Sequence, residues 1–179
     1  MPRLLPLDPA QATGPAAELL AAVQTRLGRT PNMMRTMAHA PAVLKSYLEF
    51  GSALAHGRLD ARLRERIALV VGEENRCGYC VDAHTALGAR LGLTAGELLE
   101  ARRGRAADRK SAAALAFARR IASGRADVTD AHVVELRAAG FGDGEIAEIV
   151  ACVSLNIFTN LFNHVAATDS DFPPAPRLD

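Results

Sequence analysis

Two helix patterns meet in residues 59–88, LDARLRERIALVVGEENRCGYCVDAHTALG. Asp60 is a favourable N-cap residue, and the apolar side chains after it recur with the 3.6-residue period of an α-helix. The second pattern begins at the two cysteines and ends at Gly92, a residue typical of helix C-termini. Because residues 74–75 separate the two patterns, we expect a helical hairpin that turns there.

The rest of the chain also follows helical periodicity. Glycine and proline punctuate it at positions where helices usually begin and end. The further predicted helices cover residues 16–27, 41–56, 94–104, 110–123, 129–139 and about 143–168. No alternation of period two persists, so we predict an all-α fold of antiparallel helix pairs. We expect one domain over residues 1–179, with the thiol motif within 60–92 and an extended Pro-rich tail at 169–179.

Composition excludes several classes of partner. The formal net charge is +1, which does not favour a nucleic-acid or anionic-membrane partner. We find no apolar run approaching the ~18–20 residues that span a bilayer, and no signal-peptide pattern at the N-terminus. We therefore expect a cytoplasmic protein without a membrane anchor. The odd number of cysteines, three, argues against a disulfide scaffold.

The chemistry concentrates in a Cys-x-x-Cys pair. Side chains at i and i+3 share one helix face, so Cys77 and Cys80 can interconvert between dithiol and disulfide with little backbone movement. Gly78 disfavours a helix interior, which places the pair in the first turn, where the helix dipole favours a thiolate. His84 lies one turn beyond Cys80 and is positioned to accept its proton. In the hairpin, Glu65 falls opposite His84 and would orient the imidazole.

These four residues suggest a thiol peroxidase site. His84 would deprotonate Cys80, which would attack the O–O bond of a peroxide and become a sulfenic acid. Cys77 would then condense with it to a disulfide that an external dithiol must reduce.

The spacing of Glu65, Cys77, Cys80 and His84 resembles the signature of AhpD-type alkylhydroperoxidases, in the carboxymuconolactone decarboxylase-like superfamily. The likeness is specific over about residues 60–92. It extends loosely over RTPNMMRTMAHAP and LNIFTNLFNHVAATDSDFP, which look like the peroxidase-related branch.

The resemblance implies an all-helical fold and homo-oligomers, trimers or hexamers, with the thiol site near a subunit interface. It implies hydroperoxide as substrate and a dithiol electron donor, a lipoylated or thioredoxin-like protein. By the family pattern Cys80 is the peroxidatic cysteine, Cys77 the resolving one, and Glu65 with His84 the proton relay. No cofactor and no resident metal are expected. This chain has Tyr79 where the best-known members carry a second histidine, and tyrosine, with a pKa of about 10, is a poor base at neutral pH.

Three alternatives stay open. The same cysteines would serve a disulfide reductase or electron adapter that never meets peroxide. Two thiolates and an imidazole are also metal ligands, which would suit a non-enzymatic, metal-bound helical oligomerisation module, although a structural zinc site usually needs four ligands. Glu65 taken alone would be a surface acid paired with Arg62 or Arg66.

Other polar and sulfur-containing side chains have plainer interpretations. Asn156, Asn160 and His164 form a polar stripe that is unusual in so apolar a helix. We expect these side chains to form hydrogen bonds to neighbouring helices. The more specific alternative is that they approach the thiol pocket or a neighbouring subunit. We expect Cys152 to be a core residue. The methionines at 33, 34 and 37 favour core or oligomer packing over a ligand pocket.

Overall fold

The computed structural model describes residues 1–123 and 127–178. Within these ranges the chain forms helices and no strand, which confirms the all-α prediction. The helices are α1 (Gly14–Leu27), α2 (Asn32–Met37), α3 (Pro41–Ala55), α4 (Ala61–Glu74), α5 (Gly78–Arg90), α6 (Ala95–Arg102), α7 (Arg109–Ser123), α8 (Asp130–Ala138) and α9 (Asp143–Ala166). The short helix α2 was not among the predicted elements.

Local capping explains where the central helices begin. The side chain of Asp60 accepts a hydrogen bond from the backbone N–H of Leu63 at 2.9 Å, which satisfies one of the unpaired donors at the start of α4. Thr94 and Glu97 form a reciprocal capping box at the start of α6. Both caps were readable from the sequence because they depend on residues only three apart.

The buried apolar side chains form two clusters. The first surrounds α4, whose Ile67, Leu69 and Val70 are completely buried among side chains of α6, α7, α8 and α9. The second joins α1, α2 and α3 to the first turn of α5, and it contains both Cys77 and Cys80. All three methionines of α2 are buried in this second cluster, so they are packing residues, as expected.

Gly72 allows α4 and α5 to pack closely, and Gly88 of α5 makes room for Leu98 of α6. A Cβ atom at Gly72 would lie 3.3 Å from the side chain of Val81 and 3.6 Å from Cβ of Cys80. A Cβ atom at Gly88 would lie 2.7 Å from Leu98 and 3.9 Å from Cβ of Glu65. Glycine inside a helix costs about 1 kcal/mol relative to alanine. Here that cost permits the close approach of the two helices that carry the predicted thiol site.

The long apolar helix α9 corrects one expectation. With 24 residues and a mean hydropathy of 1.4 in its most apolar window, it is long and apolar enough to cross a membrane by length and composition alone, contrary to what we inferred from the sequence. One face of α9 nevertheless packs on α4 and α7 in the core, and that face buries the amides of Asn156, Asn160 and Asn163. In this fold one face of α9 belongs to the core, and 33% of its most apolar window is buried.

The C-terminal segment, residues 169–178, contains no helix or strand and is fastened to the helices. The carboxylate of Asp82 on α5 accepts hydrogen bonds from the hydroxyl of Ser170 and the N–H of Ala175, both at 2.8 Å. The guanidinium of Arg102 donates to the carbonyl of Pro176. Residue 179 lies outside the described residues. The segment therefore runs across α5, the helix that carries the cysteine pair.

Candidate active site

The cysteine pair lies at the start of α5. Cys77 is the N-cap residue, Cys80 is the third residue of the helix, and the two form a disulfide with Cα atoms 5.3 Å apart. Arg76 adopts a left-handed φ of 54°, which turns the chain so that the N–H of Cys77 donates to the carbonyl of Gly72 at 2.8 Å. Cys77 and Cys80 are only 2% and 3% exposed. The pair sits in the first helical turn, as the sequence predicted.

The hairpin brings Glu65 and His84 together. Nδ1 of His84 lies 2.7 Å from a carboxylate oxygen of Glu65, and both side chains are about four-fifths buried. A carboxylate accepts hydrogen bonds, so Nδ1 carries the proton and Nε2 of the neutral ring is left as an acceptor. Arg62 and Arg66 instead pair with Glu97, so Glu65 is not the surface acid of the plainer interpretation. The catalytic roles of Glu65 and His84 stay predictions.

Asn163 is the side chain at this site that sequence reasoning missed. Its Nδ2 lies 3.3 Å from the sulfur of Cys80 and 3.2 Å from that of Met33, and the residue is 4% exposed. Asn163 lies on the same face of α9 as Asn156 and Asn160, at spacings of seven and three residues. Amide side chains are rare in so apolar a helix, and this pattern was the one sequence feature that could have indicated Asn163. It drew attention to Asn156, Asn160 and His164 and not to Asn163.

The residues of the predicted stripe serve mainly to hold helices together. Oδ1 of Asn160 accepts from the amide of Asn75 at 2.8 Å, and Nε2 of His164 lies 2.8 Å from the carbonyl of Asn75. These two contacts tie α9 to the turn between α4 and α5, which is the interhelix bonding expected for them. Asn156 differs, because it donates to the carbonyl of Cys152 within its own helix.

The third cysteine and the metal alternative can be judged from geometry. Cys152 is a free, buried thiol in the core, as predicted, and burial raises its pKa to about 11. Across residues 1–123 and 127–178, no three or more His, Cys, Asp or Glu side chains are grouped so as to hold a metal ion. Cys77, Cys80 and His84 thus form no such group in the disulfide state.

Comparison with known proteins shows which family and which fold the chain resembles. The model of the carboxymuconolactone decarboxylase family matches residues 41–123, a range that contains all four predicted site residues. A peroxidase-related protein from Ralstonia eutropha JMP134, described as an AhpD core, superposes with a TM-score of 0.85 at 23% identity, covering 95% of this chain and 92% of that one. The chain therefore has an AhpD-like fold, and residues 41–123 resemble the carboxymuconolactone decarboxylase family.

Two further relatives show how varied proteins with an AhpD-like fold are. An alkyl hydroperoxide reductase of Mycobacterium tuberculosis is 29% identical over 90 residues, a match that spans half of this chain but only 26% of the relative. The debrominase Bmp8, crystallised in complex with 2,3,4-tribromopyrrole, superposes with a TM-score of 0.80 at 20% identity, covering 94% of this chain and 91% of Bmp8.

Tyr79, the departure from the AhpD pattern, faces the C-terminal segment. Its hydroxyl donates to the carboxylate of Asp171 at 3.0 Å and accepts from the N–H of Met33 at 3.3 Å. Burial, together with the charge of Asp171, raises the pKa of Tyr79 far above its ordinary value, so the phenol stays protonated and is no base. Its ring packs edge-on against Phe172.

The only other tyrosine of the AhpD-like chain also adjoins the site. Tyr47 of α3 packs against the cluster that holds the cysteines. Burial, and then the charge of Glu65, raises the pKa of Tyr47 to about 12. No motif in the sequence marks this residue, because α3 reaches α5 only through tertiary packing.

Proposed function

We propose that this AhpD-like domain reduces hydroperoxides with its cysteine pair and is recycled by an external dithiol. The observation that carries the proposal is the 2.7 Å contact between Glu65 and Nδ1 of His84, one helical turn beyond Cys80. It supplies what a bare Cys-x-x-Cys pair lacks, a base whose tautomer is set by a carboxylate. The position of Cys80 in the first turn of α5 adds the positive end of a helix dipole.

The proposed reaction begins from the dithiol. His84 takes the proton of Cys80, and the thiolate attacks the outer oxygen of R–O–O–H, forming an S–O bond as the O–O bond breaks. The alkoxide leaves and takes a proton from the imidazolium, which yields an alcohol and a sulfenic acid on Cys80. The Cys77 thiolate then attacks that sulfur, so that an S–S bond forms and hydroxide leaves and is protonated to water.

An external dithiol completes the cycle. Its thiolate attacks the Cys77–Cys80 disulfide, and exchange returns both cysteines to thiols while the donor becomes a disulfide. We propose a lipoylated or thioredoxin-like protein as the donor. Because both sulfurs are almost fully buried, peroxide and donor reach them only after neighbouring side chains move.

Single cysteine replacements test this proposal. Cys80→Ser should abolish hydroperoxide consumption with a dithiol donor. Cys77→Ser should retain one round of peroxide reduction and stop at the sulfenic acid. Cys152→Ala is the matched control, since it removes the third thiol without touching the pair, and it should turn over like the parent protein. Unchanged hydroperoxide turnover in Cys80→Ser would contradict the proposal.

A second candidate is a disulfide reductase or electron adapter, and Tyr79 favours it. Where the best-known members carry a second histidine, this chain has a phenol that stays protonated and bonds to Asp171. An incomplete relay would leave thiol–disulfide exchange intact while slowing the attack on peroxide. A dimedone-type sulfenic-acid probe separates the two functions: adduct on Cys80 after peroxide addition supports the peroxidase, and no adduct together with rapid reduction of a protein disulfide supports the adapter.

We further propose that the protein is cytoplasmic and acts as a homo-oligomer, a trimer or hexamer. An exposed apolar stripe on α9 supports self-association: Phe158, Leu161 and Val165 are 40%, 60% and 68% exposed. Light scattering on the purified protein would measure the assembly. Leu161→Glu should lower its mass, and a parent protein that is monomeric at micromolar concentration would contradict the oligomer.

A further inference from the structure

The carboxamide of Asn163 is bonded in an unusual way for a buried amide. Both recorded partners of its Nδ2 are sulfurs, those of Met33 at 3.2 Å and Cys80 at 3.3 Å. Its Oδ1 is buried without a hydrogen-bond partner among the described residues. A buried polar atom left unpaired destabilises the folded protein, so this arrangement needs a reason. Asn160 and Asn156, on the same helix face, bond to amide or carbonyl groups and not to sulfur, although Nδ2 of Asn160 is likewise buried without a partner among the described residues.

The bond to sulfur gains strength in one state of the protein. Disulfide and thioether sulfurs are weak acceptors, whereas a thiolate is a charged one, and hydrogen bonds to charged groups are roughly twice as strong as neutral ones. The other titratable groups of this site are Tyr47, Glu65, Cys77, Tyr79 and His84. Among residues 1–123 and 127–178, none of them has a recorded hydrogen bond to the Cys80 sulfur, and Asn163 is the side-chain donor that does.

We propose that Asn163 is a catalytic residue whose Nδ2 stabilises the Cys80 thiolate and whose Oδ1 accepts a hydrogen bond from the O–H of the bound hydroperoxide. Both atoms belong to one planar carboxamide, so the unpaired oxygen lies within a few ångström of the reacting sulfur. In that position it holds the outer oxygen of R–O–O–H, the atom that forms the S–O bond when the O–O bond breaks. The second half of the proposal rests on the proposed peroxidase function, while the first half requires only the thiol.

The thiolate half is tested without peroxide. In a Cys77→Ser background, the rate of Cys80 alkylation by iodoacetamide is followed against pH by peptide mass spectrometry. Asn163→Leu keeps the size of the side chain and removes the donor. It should raise the pKa of the Cys80 thiol by about one unit, an approximately tenfold slower alkylation below that pKa. Asn156→Leu is the matched control on the same helix face and should leave the profile unchanged.

A second variant protects this test against misfolding. Asn163→Asp keeps the shape but places a negative charge where the donor was, so the pKa of Cys80 should rise at least as far as in Asn163→Leu. If a folded variant at position 163, verified by helical circular dichroism, alkylates Cys80 with the profile of the parent protein, the thiolate half is wrong.

The acceptor half is tested at a pH above the pKa of Cys80 in both proteins, where the thiolate is fully formed in each. Iodoacetamide has no O–H group and should then react equally with the parent protein and Asn163→Leu. A hydroperoxide should still react about tenfold more slowly with Asn163→Leu, the loss of one hydrogen bond to substrate. Equal peroxide rates would overturn the acceptor role. If the parent protein does not react with hydroperoxide but Asn163→Leu still shifts the pH profile of Cys80 alkylation, the proposed peroxidase function is wrong. The role of Asn163 in stabilising the thiolate is then retained.

Discussion

Replacing Asp171 with alanine should release the C-terminal segment from α5. The carboxylate of Asp171 is the point where three parts of the chain converge. It accepts hydrogen bonds from the hydroxyl of Tyr79 at 3.0 Å, from the N–H of Asn32 at 3.2 Å and from the guanidinium of Arg29. That guanidinium also lies 4.5 Å from the ring centre of Phe172. Asp171→Ala removes all three acceptor contacts at once.

The size of the effect follows from those contacts. A hydrogen bond to a charged group contributes about 1.5–3 kcal/mol when it is buried. The side chains of Asp171 and Arg29 are 22% and 36% exposed. Because solvent screens their ion pair, we assign it little stabilising free energy. We therefore expect the segment to open more easily by about 2–3 kcal/mol, which is a factor of about 30–150 in its opening equilibrium.

Amide hydrogen exchange measures this opening directly. The N–H of Ala175 is bonded to Asp82 and exchanges only when the segment lifts away, so its exchange rate should rise about 30–150-fold in Asp171→Ala. Asp169→Ala is the matched control, because that exposed residue contributes only its backbone carbonyl, which accepts from Asn32. An Ala175 amide that exchanges at the parent rate in Asp171→Ala would refute the idea that this carboxylate fastens the segment.

Three further predictions concern the site and the core. Glu65→Gln should lower peroxide turnover about tenfold or more, because the charge that orients His84 is lost. The control variant Glu97→Gln should not lower it. Equal turnover rates for both variants would show that Glu65 is not part of the proton relay. Tyr79→Phe should lower the free energy of unfolding by about 1–3 kcal/mol in urea denaturation without changing peroxide turnover, and a collapse of turnover would make the phenol a participant. Because burial raises the pKa of Cys152 to about 11, iodoacetamide should leave this thiol unmodified in the native protein at pH 8 and modify it only as the pH approaches that value; rapid labelling at pH 8 would contradict its burial.

Local sequence patterns accounted for much of the fold and for the outline of the site. The caps at Asp60 and Thr94 depend on neighbours three residues away, and helix periodicity depends on a single turn. The approach of Glu65 to His84 was also predictable, since a hairpin with a known turning point pairs residues that are equidistant from it. The predicted positions of these groups are confirmed by the structure, while their catalytic roles remain to be tested.

Features that join distant segments were not predictable in the same way. Asn163 approaches Cys80 across 83 positions of the chain, and Asp171 approaches Tyr79 across 92. Nothing near Gly72 in the sequence indicates that α5 packs against it, with Val81 3.3 Å from the position of a Cβ atom. By length and composition alone α9 could cross a membrane, and only the tertiary structure shows that one of its faces packs on α4 and α7.

The sequence by itself determined the helices, the placement of Cys77 and Cys80 in one helical turn, and the alignment of His84 with Glu65, because each of these follows from backbone geometry within one helix or one hairpin. Only the tertiary structure decided what surrounds the sulfur atoms: the amide of Asn163, the phenols of both tyrosines and the fastened C-terminal segment. The reason is physical. Whether a buried side chain meets a thiol depends on how whole helices pack, and packing is the sum of many weak contacts that no short stretch of sequence contains.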